Sequence, residues 1–205
     1  TLPDHAFRGE DADALEAILS PDVNLAIWAR DRAPTLPTFG ERDAAGDVTL
    51  TTDAAGAVGP VRAALLAADY PEAVARMLAL DIAALAARLG DLLGRARVSI
   101  RLEVIETDAC KRFHADYVGV RMICTYAGRG TQWLTQDDAA RLADGAPIDA
   151  LDVHDISTGH VALLKGRLRA PHRPIFHRSP PIAGTGRRRL VLVIDGAVDA
   201  PDSHD

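Results

Sequence analysis

The chain of 205 residues is 48% hydrophobic and has a formal net charge of -6. It can therefore bury a sizeable core, and it lacks the excess of Lys and Arg needed for sequence-independent binding of nucleic acid. Its two cysteines are too few for a disulfide framework, and no apolar run approaches the ~20 residues of a membrane span. The start of the sequence shows no signal-peptide pattern. We therefore expect a cytoplasmic protein without nucleic-acid or membrane partners.

The first third of the chain is predicted to contain two short helices and a long loop. Apolar residues at helical spacing predict a helix over residues 11–19, which Pro21 ends. A second short helix is expected over residues 22–30. Residues 31–59 are rich in Pro and Gly and predict a loop with one strand near residues 48–51.

Two further helices are expected to begin at prolines. Pro60 and Pro71 stand where the first turn of a helix tolerates a missing N–H, and the second helix is predicted over residues 71–93, with Gly94 as its end. Its apolar stripe consists of Val74, Met77, Leu78, Ile82, Leu85, Leu89 and Leu92. A stripe of this kind is typical of a helix that packs on a sheet.

After residue 95 the apolar period changes from helical to two, which indicates strands. The predicted strands lie near residues 98–104, 117–126, 131–134, 161–164, 174–177 and 189–194, with a small helix over 137–143. Short strands separated by Gly and Pro turns predict a barrel or sandwich. The last strand is apolar on both faces, so we expect it to be central, between the interior of the barrel and the helices.

The sequence thus predicts a single α+β domain over residues 1–205. Residues 1–95 would form mainly helical support, residues 96–195 the β-barrel core, and residues 196–205 a frayed acidic tail.

The strand half contains a pattern of metal ligands. His114 and Asp116 are separated by one residue, so on an extended segment both side chains point to the same face. His177 follows about 60 residues later at the end of an apolar segment. Two imidazoles and one carboxylate form a facial triad that suits Fe(II), Mn(II) or Zn(II) and leaves coordination positions open.

With this pattern, the segment from Val98 to Asp195 resembles the double-stranded β-helix (the jelly-roll, cupin-like barrel) of the Fe(II)/2-oxoglutarate-dependent dioxygenases. The resemblance implies a hydroxylase in which His114, Asp116 and His177 hold Fe(II). It also implies cofactor-binding roles for residues that match the family's Arg and Thr and its Gly-x-Arg pattern: Arg121, Thr125, Arg187 and Arg188.

The chain is also similar to a more specific bacterial family known only as a domain of unknown function. The matching words are Cys110…Phe113-His114-x-Asp116, Cys124-Thr125-Tyr126, Gly130-Thr131-x-Trp133-Leu134 and His177-Arg178-Ser179-Pro180-Pro181.

Three arginines in a row leave the anchor of 2-oxoglutarate ambiguous. In a pleated strand Arg188 shares one face with Leu190, whereas Arg187 and Arg189 share the other with Val191, and only one register can point inward. The Gly-x-Arg spacing favours Arg188, whose guanidinium would bind a carboxylate in a bidentate pair.

Two alternatives to an oxygenase remain open. Cys110 could complete a four-ligand Zn(II) site with the triad, which would indicate a metal-homeostasis protein. A non-catalytic cupin-like domain could instead bind a small anion at Arg188. For an enzyme, the sequence leaves open whether the substrate is a small molecule or a peptide, and loops over residues 31–59 and 135–160 are expected to border the mouth of the barrel.

Overall fold

The computed structural model describes residues 2–36, 45–108 and 110–197. The strands are β1 (Ala6–Gly9), β2 (Leu25–Trp28), β3 (Val48–Asp53), β4 (Arg97–Ile105), β5 (Val120–Ala127), β6 (Gln132–Leu134), β7 (Val153–Asp155), β8 (Val161–Lys165), β9 (His177–Arg178) and β10 (Arg189–Gly196). The α-helices are α1 (Val58–Ala67), α2 (Glu72–Leu93) and α3 (Gln136–Ala143), and 3-10 helices run over Ala12–Leu19 and Ile148–Ala150. The tail predicted beyond residue 197, and part of the loop predicted over 31–59, lie outside the described residues.

The strands form two sheets. The main sheet has the order β1-β2-β8-β5-β10-β4-β3 and is antiparallel except for the pair β1–β2. The small sheet has the order β7-β6-β9, and a bridge between His114 and His177 continues it by one more chain segment. The described residues therefore form a mixed α and β fold with a large sheet, in which the predicted central strand, β10, lies between β5 and β4.

The outer face of the main sheet, defined here as the face that packs against α1 and α2, holds the larger apolar core. Alternate residues of β10 point to this face, namely Leu190, Leu192 and Ile194, and none of the three is exposed. Helix α2 covers them with the predicted stripe and ends at Gly94, whose positive φ of 62° suits glycine. None of the described helices is long and apolar enough to cross a membrane.

The inner face of the main sheet, which looks toward the small sheet, carries a second apolar cluster. Val191 and Val193 of β10 pack there with Ile123 of β5 and Trp133 of β6. This cluster fills the space between the two sheets, and the candidate ligands lie at its margin.

The helix predicted over residues 22–30 is wrong, because β2 (Leu25–Trp28) pairs with β1 and β8 instead. A short apolar run suits a buried strand as well as a helix, and pairing with neighbours on both sides decides between them. The first 95 residues are accordingly less helical than predicted, since β1, β2 and β3 all join the main sheet. The helix predicted over residues 11–19 is present as a 3-10 helix.

Candidate metal centre

Two backbone hydrogen bonds bring the predicted histidines together. His114 lies in the segment between β4 and β5, and His177 lies in β9. The amide of His114 donates to the carbonyl of His177 at 3.0 Å, and the amide of His177 donates back at 2.9 Å. This reciprocal pairing fixes the two imidazole rings side by side, with their centroids 4.8 Å apart.

The side chains of His114, Asp116 and His177 converge on one point. One potential ligand atom from each residue can be chosen so that all lie within 4.8 Å of one another. Nε2 of His114 lies 3.5 Å from Asp116 Oδ1, and Nε2 of His177 lies 3.2 Å from Asp116 Oδ2. The predicted triad is therefore assembled in space, although His177 lies about 60 residues along the chain from His114 and Asp116.

Backbone carbonyls select which imidazole nitrogen faces this point. Nδ1 of His114 lies 2.9 Å from the carbonyl of Arg112, and Nδ1 of His177 lies 3.3 Å from that of Ile175. Because a carbonyl can only accept, a neutral imidazole in this position has its proton on Nδ1 and its lone pair on Nε2. That is the tautomer in which Nε2 can bind a metal ion, with the carbonyl as the outer partner.

The charge on Asp116 is stabilised from two sides. Burial by itself raises the pKa of Asp116, but the neighbouring imidazoles of His114 and His177 and the positive charge of Arg121 outweigh it, so the pKa lies well below its usual range. The carboxylate of Asp116 in turn favours the protonated imidazole and raises the pKa of His114. Asp116 is therefore an ionised carboxylate at neutral pH, as metal coordination requires.

Arg121, a predicted cofactor-binding residue, is held between two carboxylates. Its Nη1 lies 2.7 Å from Asp116 Oδ2, and its Nε and Nη2 donate to the two oxygens of Asp195 at 2.8 and 2.7 Å. The bidentate pair with Asp195 fixes the guanidinium, which in turn orients Asp116. Sequence analysis missed Asp195, although its alternation with Val191 and Val193 along β10 places all three on the inner face.

The cluster is more open on one side than on the other. The side chain of His177 is 8% exposed and that of Asp116 15%, whereas that of His114 is 39% exposed. The cluster is therefore most accessible to solvent on the side of His114.

The structure corrects the predicted register of the three arginines. Arg188 lies on the side of Leu190, and its Nε forms an ion pair with Glu106 at 2.7 Å. Arg187 is exposed. Arg189, by contrast, is only 1% exposed and shares the inner face with Val191. Three consecutive arginines carry no alternation of their own, so the sequence could not decide this register.

The guanidinium of Arg189 is bonded to neutral oxygens. It donates to the carbonyl of Arg129 at 2.6 Å, to Ser179 Oγ at 2.6 Å and to Thr131 Oγ1 at 3.2 Å. No carboxylate within residues 2–36, 45–108 and 110–197 forms an ion pair with it. Burial, and then the nearby charge of Arg129, lowers the pKa of Arg189 to about 10, so the group is still a cation at neutral pH.

Ser179 and Thr131 were not singled out as site residues on the sequence. Ser179 stands two residues after His177, so on an extended segment it faces the same way, and this spacing is the signal that could have identified it. Thr131 belongs to the Gly128–Trp133 segment, whose first residue lies close to the backbone of Arg188 and Arg189. A Cβ at Gly128, where φ is 76°, would lie 2.4 Å from the carbonyl oxygen of Arg188, so only glycine fits there.

The remaining predicted residues lie outside the cluster. Thr125 is buried in β5 opposite Val191. Cys110 is exposed, with a φ of 55°, and in the part of the chain that the structure describes it does not join the group of converging ligands. His172, an alternative ligand on sequence grounds, lines a separate pocket.

The sequence matches one known protein family over most of its length. Residues 9–195 match the family described as "Protein of unknown function (DUF1826)". The chain belongs to that family. A search of the curated proteins gives no match.

Several solved structures are distantly similar. A dioxygenase for auxin oxidation in rice is 14% identical, with 96% of this chain and 83% of that one covered and a TM-score of 0.48. A Pseudomonas putida prolyl-4-hydroxylase is 16% identical, with 92% and 99% covered and a TM-score of 0.44. A putative oxygenase from Shewanella oneidensis is 11% identical, with 93% and 89% covered and a TM-score of 0.48. Because each of these TM-scores is below 0.5, the function has to be inferred from the chain's own side chains.

Proposed function

We propose that this chain is a non-haem Fe(II)- and 2-oxoglutarate-dependent oxygenase, with His114, Asp116 and His177 as the metal ligands. The observation that carries the proposal is the convergence of these three side chains within 4.8 Å, with both imidazoles held by carbonyls at Nδ1. Two neutral nitrogens and one ionised oxygen form the donor set of a facial triad, which suits Fe(II) and leaves one side of the ion open.

The strand order supports the same proposal. The central strands of the main sheet run β4-β10-β5-β8, and the small sheet runs from the His114 segment through β9 and β6 to β7. These strands can be numbered 1 to 8 in chain order after residue 96, with β4 as 1, the His114 segment as 2 and β10 as 8. The main sheet then has the order 1-8-3-6 and the small sheet the order 2-7-4-5. Two facing layers in this order, with the His114 bridge counted as a strand, would suit the double-stranded β-helix that the sequence resemblance implies, and so support the proposal.

The bound iron would supply the oxidative chemistry, with dioxygen and the keto acid as co-substrates. The protein's part is to hold the ligands and to limit access of water. Arg121 orients Asp116, the inner-face apolar cluster closes the interior behind His177, and the exposed side of His114 is where a substrate, either a small molecule or a peptide, would approach.

We propose Arg189, in place of Arg188, as the anchor for the far carboxylate of 2-oxoglutarate. Arg189 is buried, charged and bonded to neutral oxygens, whereas Arg188 is engaged by Glu106. Its partner Ser179 lies two residues beyond His177, and two residues of extended chain span about 7 Å, which is close to the length of a five-carbon dicarboxylate. A buried guanidinium is a strong site for a carboxylate.

An anaerobic absorbance titration of Fe(II)-loaded protein with 2-oxoglutarate tests the proposal. We expect a visible charge-transfer band in the unaltered protein and in His172→Ala, and no band in His114→Ala. His172→Ala is the matched control because it removes an exposed imidazole outside the triad. An unchanged band in His114→Ala, or no band in any of the three proteins, would overturn the proposal.

A second titration separates the two candidate anchors. Arg189→Met should retain Fe(II) but bind 2-oxoglutarate at least about tenfold more weakly, because a charge-assisted hydrogen bond is worth 1.4 kcal/mol or more. Arg188→Met should bind the keto acid as the unaltered protein does. The opposite result would return the role of anchor to Arg188.

A further inference from the structure

A pocket of about 280 Å³ lies beyond the end of β8, outside the metal centre. One wall is the loop between β8 and β9, and the other is the segment between the first 3-10 helix and β2. Four basic residues border it: Lys165, Arg169, His172 and Arg173. The pocket therefore has a positive lining in a chain whose net charge is -6.

Lys165 is the buried member of this group. It is only 3% exposed, and its Nζ donates to the carbonyl of Ser20 at 2.6 Å, at the end of the 3-10 helix. An ammonium group has three donors, so this bond accounts for one of them. Across the described ranges, Lys165 has no carboxylate partner. A buried ammonium without a counter-charge is costly, so a ligand that supplies negative charge would be stabilised there.

The two arginines add charge at the mouth of the pocket. Arg169 and Arg173 are exposed, and no ion pair engages either of them among the described side chains. Burial, followed by the charges of Arg169 and Arg173, lowers the pKa of Lys165, whereas the exposed Asp22 opposes this effect. The three cations therefore repel one another across a common space, and a bound anion would relieve that repulsion.

The walls that carry these cations are tied together. Asn24 Nδ2 donates to the carbonyl of Arg173 at 2.9 Å, and Gln136 Nε2 donates to the same oxygen at 3.2 Å. The amide of Lys165 donates to the carbonyl of Asn24 at 2.9 Å. The backbone around the pocket is thus held in place before any ligand arrives, which lowers the entropic cost of binding.

We propose that Lys165, Arg169 and Arg173 form a second binding site, for an oxyanion such as a phosphate or carboxylate group. Lys165 alternates along β8 with Leu164, which packs in the inner-face cluster, so its ammonium group lies on the opposite face of that strand from the interior of the barrel. The lining of the pocket includes none of the metal ligands and not Arg189, and binding there does not depend on the proposed oxygenase activity.

The test uses the full chain, free of metal and in the presence of chelator. Its melting temperature is measured against increasing inorganic phosphate, and separately against acetate, with ionic strength held constant by chloride. We expect a saturable rise with at least one of the two anions, because a ligand that binds only the folded state stabilises it. A stronger response to phosphate would indicate a phosphorylated ligand, and a stronger response to acetate a carboxylate. No rise beyond that in chloride with either anion would overturn the proposal.

Variants assign the effect to the pocket. Arg169→Ala/Arg173→Ala should bind the effective anion at least about tenfold more weakly, the loss of one charge-assisted hydrogen bond. Arg32→Ala/Arg76→Ala removes the same charge from exposed positions outside the pocket and should respond as the unaltered protein does. An equal response in both double variants would refute the site.

Lys165→Met separates an anion site from a purely structural role. If Lys165 only caps the 3-10 helix, the variant loses stability without any anion and keeps the full anion-dependent rise. The proposed site requires instead that the rise be lost.

Discussion

The outer and inner faces of the main sheet are built from the same strands, yet their side chains differ in kind. Along β10 the outer residues Leu190, Leu192 and Ile194 are all apolar and fully buried. The inner face carries Val191 and Val193 between a buried Arg189 at one end and Asp195 at the other. Because successive residues of a strand point to opposite faces, one strand can contribute to the core and to a polar site at once.

We therefore expect stability and metal binding to depend on different faces of the main sheet. From Leu190 to Ile194 the outer face of β10 presents only apolar side chains to the larger core, whereas the inner face brings charged groups to the margin of a smaller core. Substitutions on the two faces should therefore affect different measurements.

The largest effect on folding is expected for the outer face. Leu192→Ala should lower the free energy of unfolding by about 2–5 kcal/mol, because it leaves a cavity in a fully buried cluster. Urea denaturation measures this loss. The exposed Leu80 on α2 provides the matched control, since Leu80→Ala should change stability little. Equal losses in the two variants would contradict the assignment of the core to this face.

A substitution on the inner side should have the converse effect. At a Mn(II) concentration 100 times the dissociation constant, metal binding should stabilise the protein by about 2.7 kcal/mol, and His177→Ala should abolish that gain. Thermal unfolding with and without Mn(II) measures it. Leu192→Ala should retain the metal-dependent gain despite its lower stability. If His177→Ala retained the gain, His177 would not be a ligand.

The ion pairs around Arg121 should contribute less than either of these. Arg121→Gln should lower the free energy of unfolding by about 1–3 kcal/mol, because the ion pair with Asp116 and the charge-assisted hydrogen bonds to Asp195 are lost. Arg101→Gln breaks the more exposed pair with Glu103 and a longer contact with Asp195 at 4.0 Å, and should cost about 1 kcal/mol or less. A larger loss in Arg101→Gln would reverse this ranking.

The two thiols should differ in reactivity without any change in stability. Burial raises the pKa of Cys124 to about 12, so this outer-face thiol stays protonated, whereas Cys110 is exposed. A thiol reagent at pH 8 should label one cysteine in the native protein and two in denaturant, and mass spectrometry should identify the first as Cys110.

The raised pKa of Cys124 also has a consequence for stability at high pH. Between the unfolded pKa of about 8.5 and the folded value of about 12, the unfolded state loses a proton that the folded state keeps. The contribution of this thiol to stability is therefore fully present below pH 8.5 and declines above it. Cys124→Ala should show a flatter decline of stability between pH 8.5 and 10.

Local periodicity was enough to predict much of the fold and the three candidate ligands. Helix α2 and the central position of β10 follow from the spacing of apolar residues, and His114 and Asp116 share a face because one residue separates them. Strand β2 could not be predicted in this way, because four apolar residues suit either kind of structure until neighbouring strands pair with them.

The partners of the charged residues were beyond the reach of the sequence. The sequence pattern marks Asp195 only as the end of a strand, yet its carboxylate accepts hydrogen bonds from Arg121, which is 74 residues away in the chain. Nothing in the local sequence marks Lys165, one of only two lysines in the chain, as a buried residue that lines a pocket with two arginines. Such contacts join distant segments, and no local period records them.

By itself, the sequence determined which residues alternate along each strand and which residue types could hold a metal, because both follow from local geometry and side-chain chemistry. The fold was needed to show that Arg189 faces inward and Arg188 outward, that Arg121 lies between two carboxylates, and that the Cys110 thiol is not among the converging ligand atoms. The physical reason is that direction and pairing are set by what packs against each strand, and those neighbours come from remote parts of the chain.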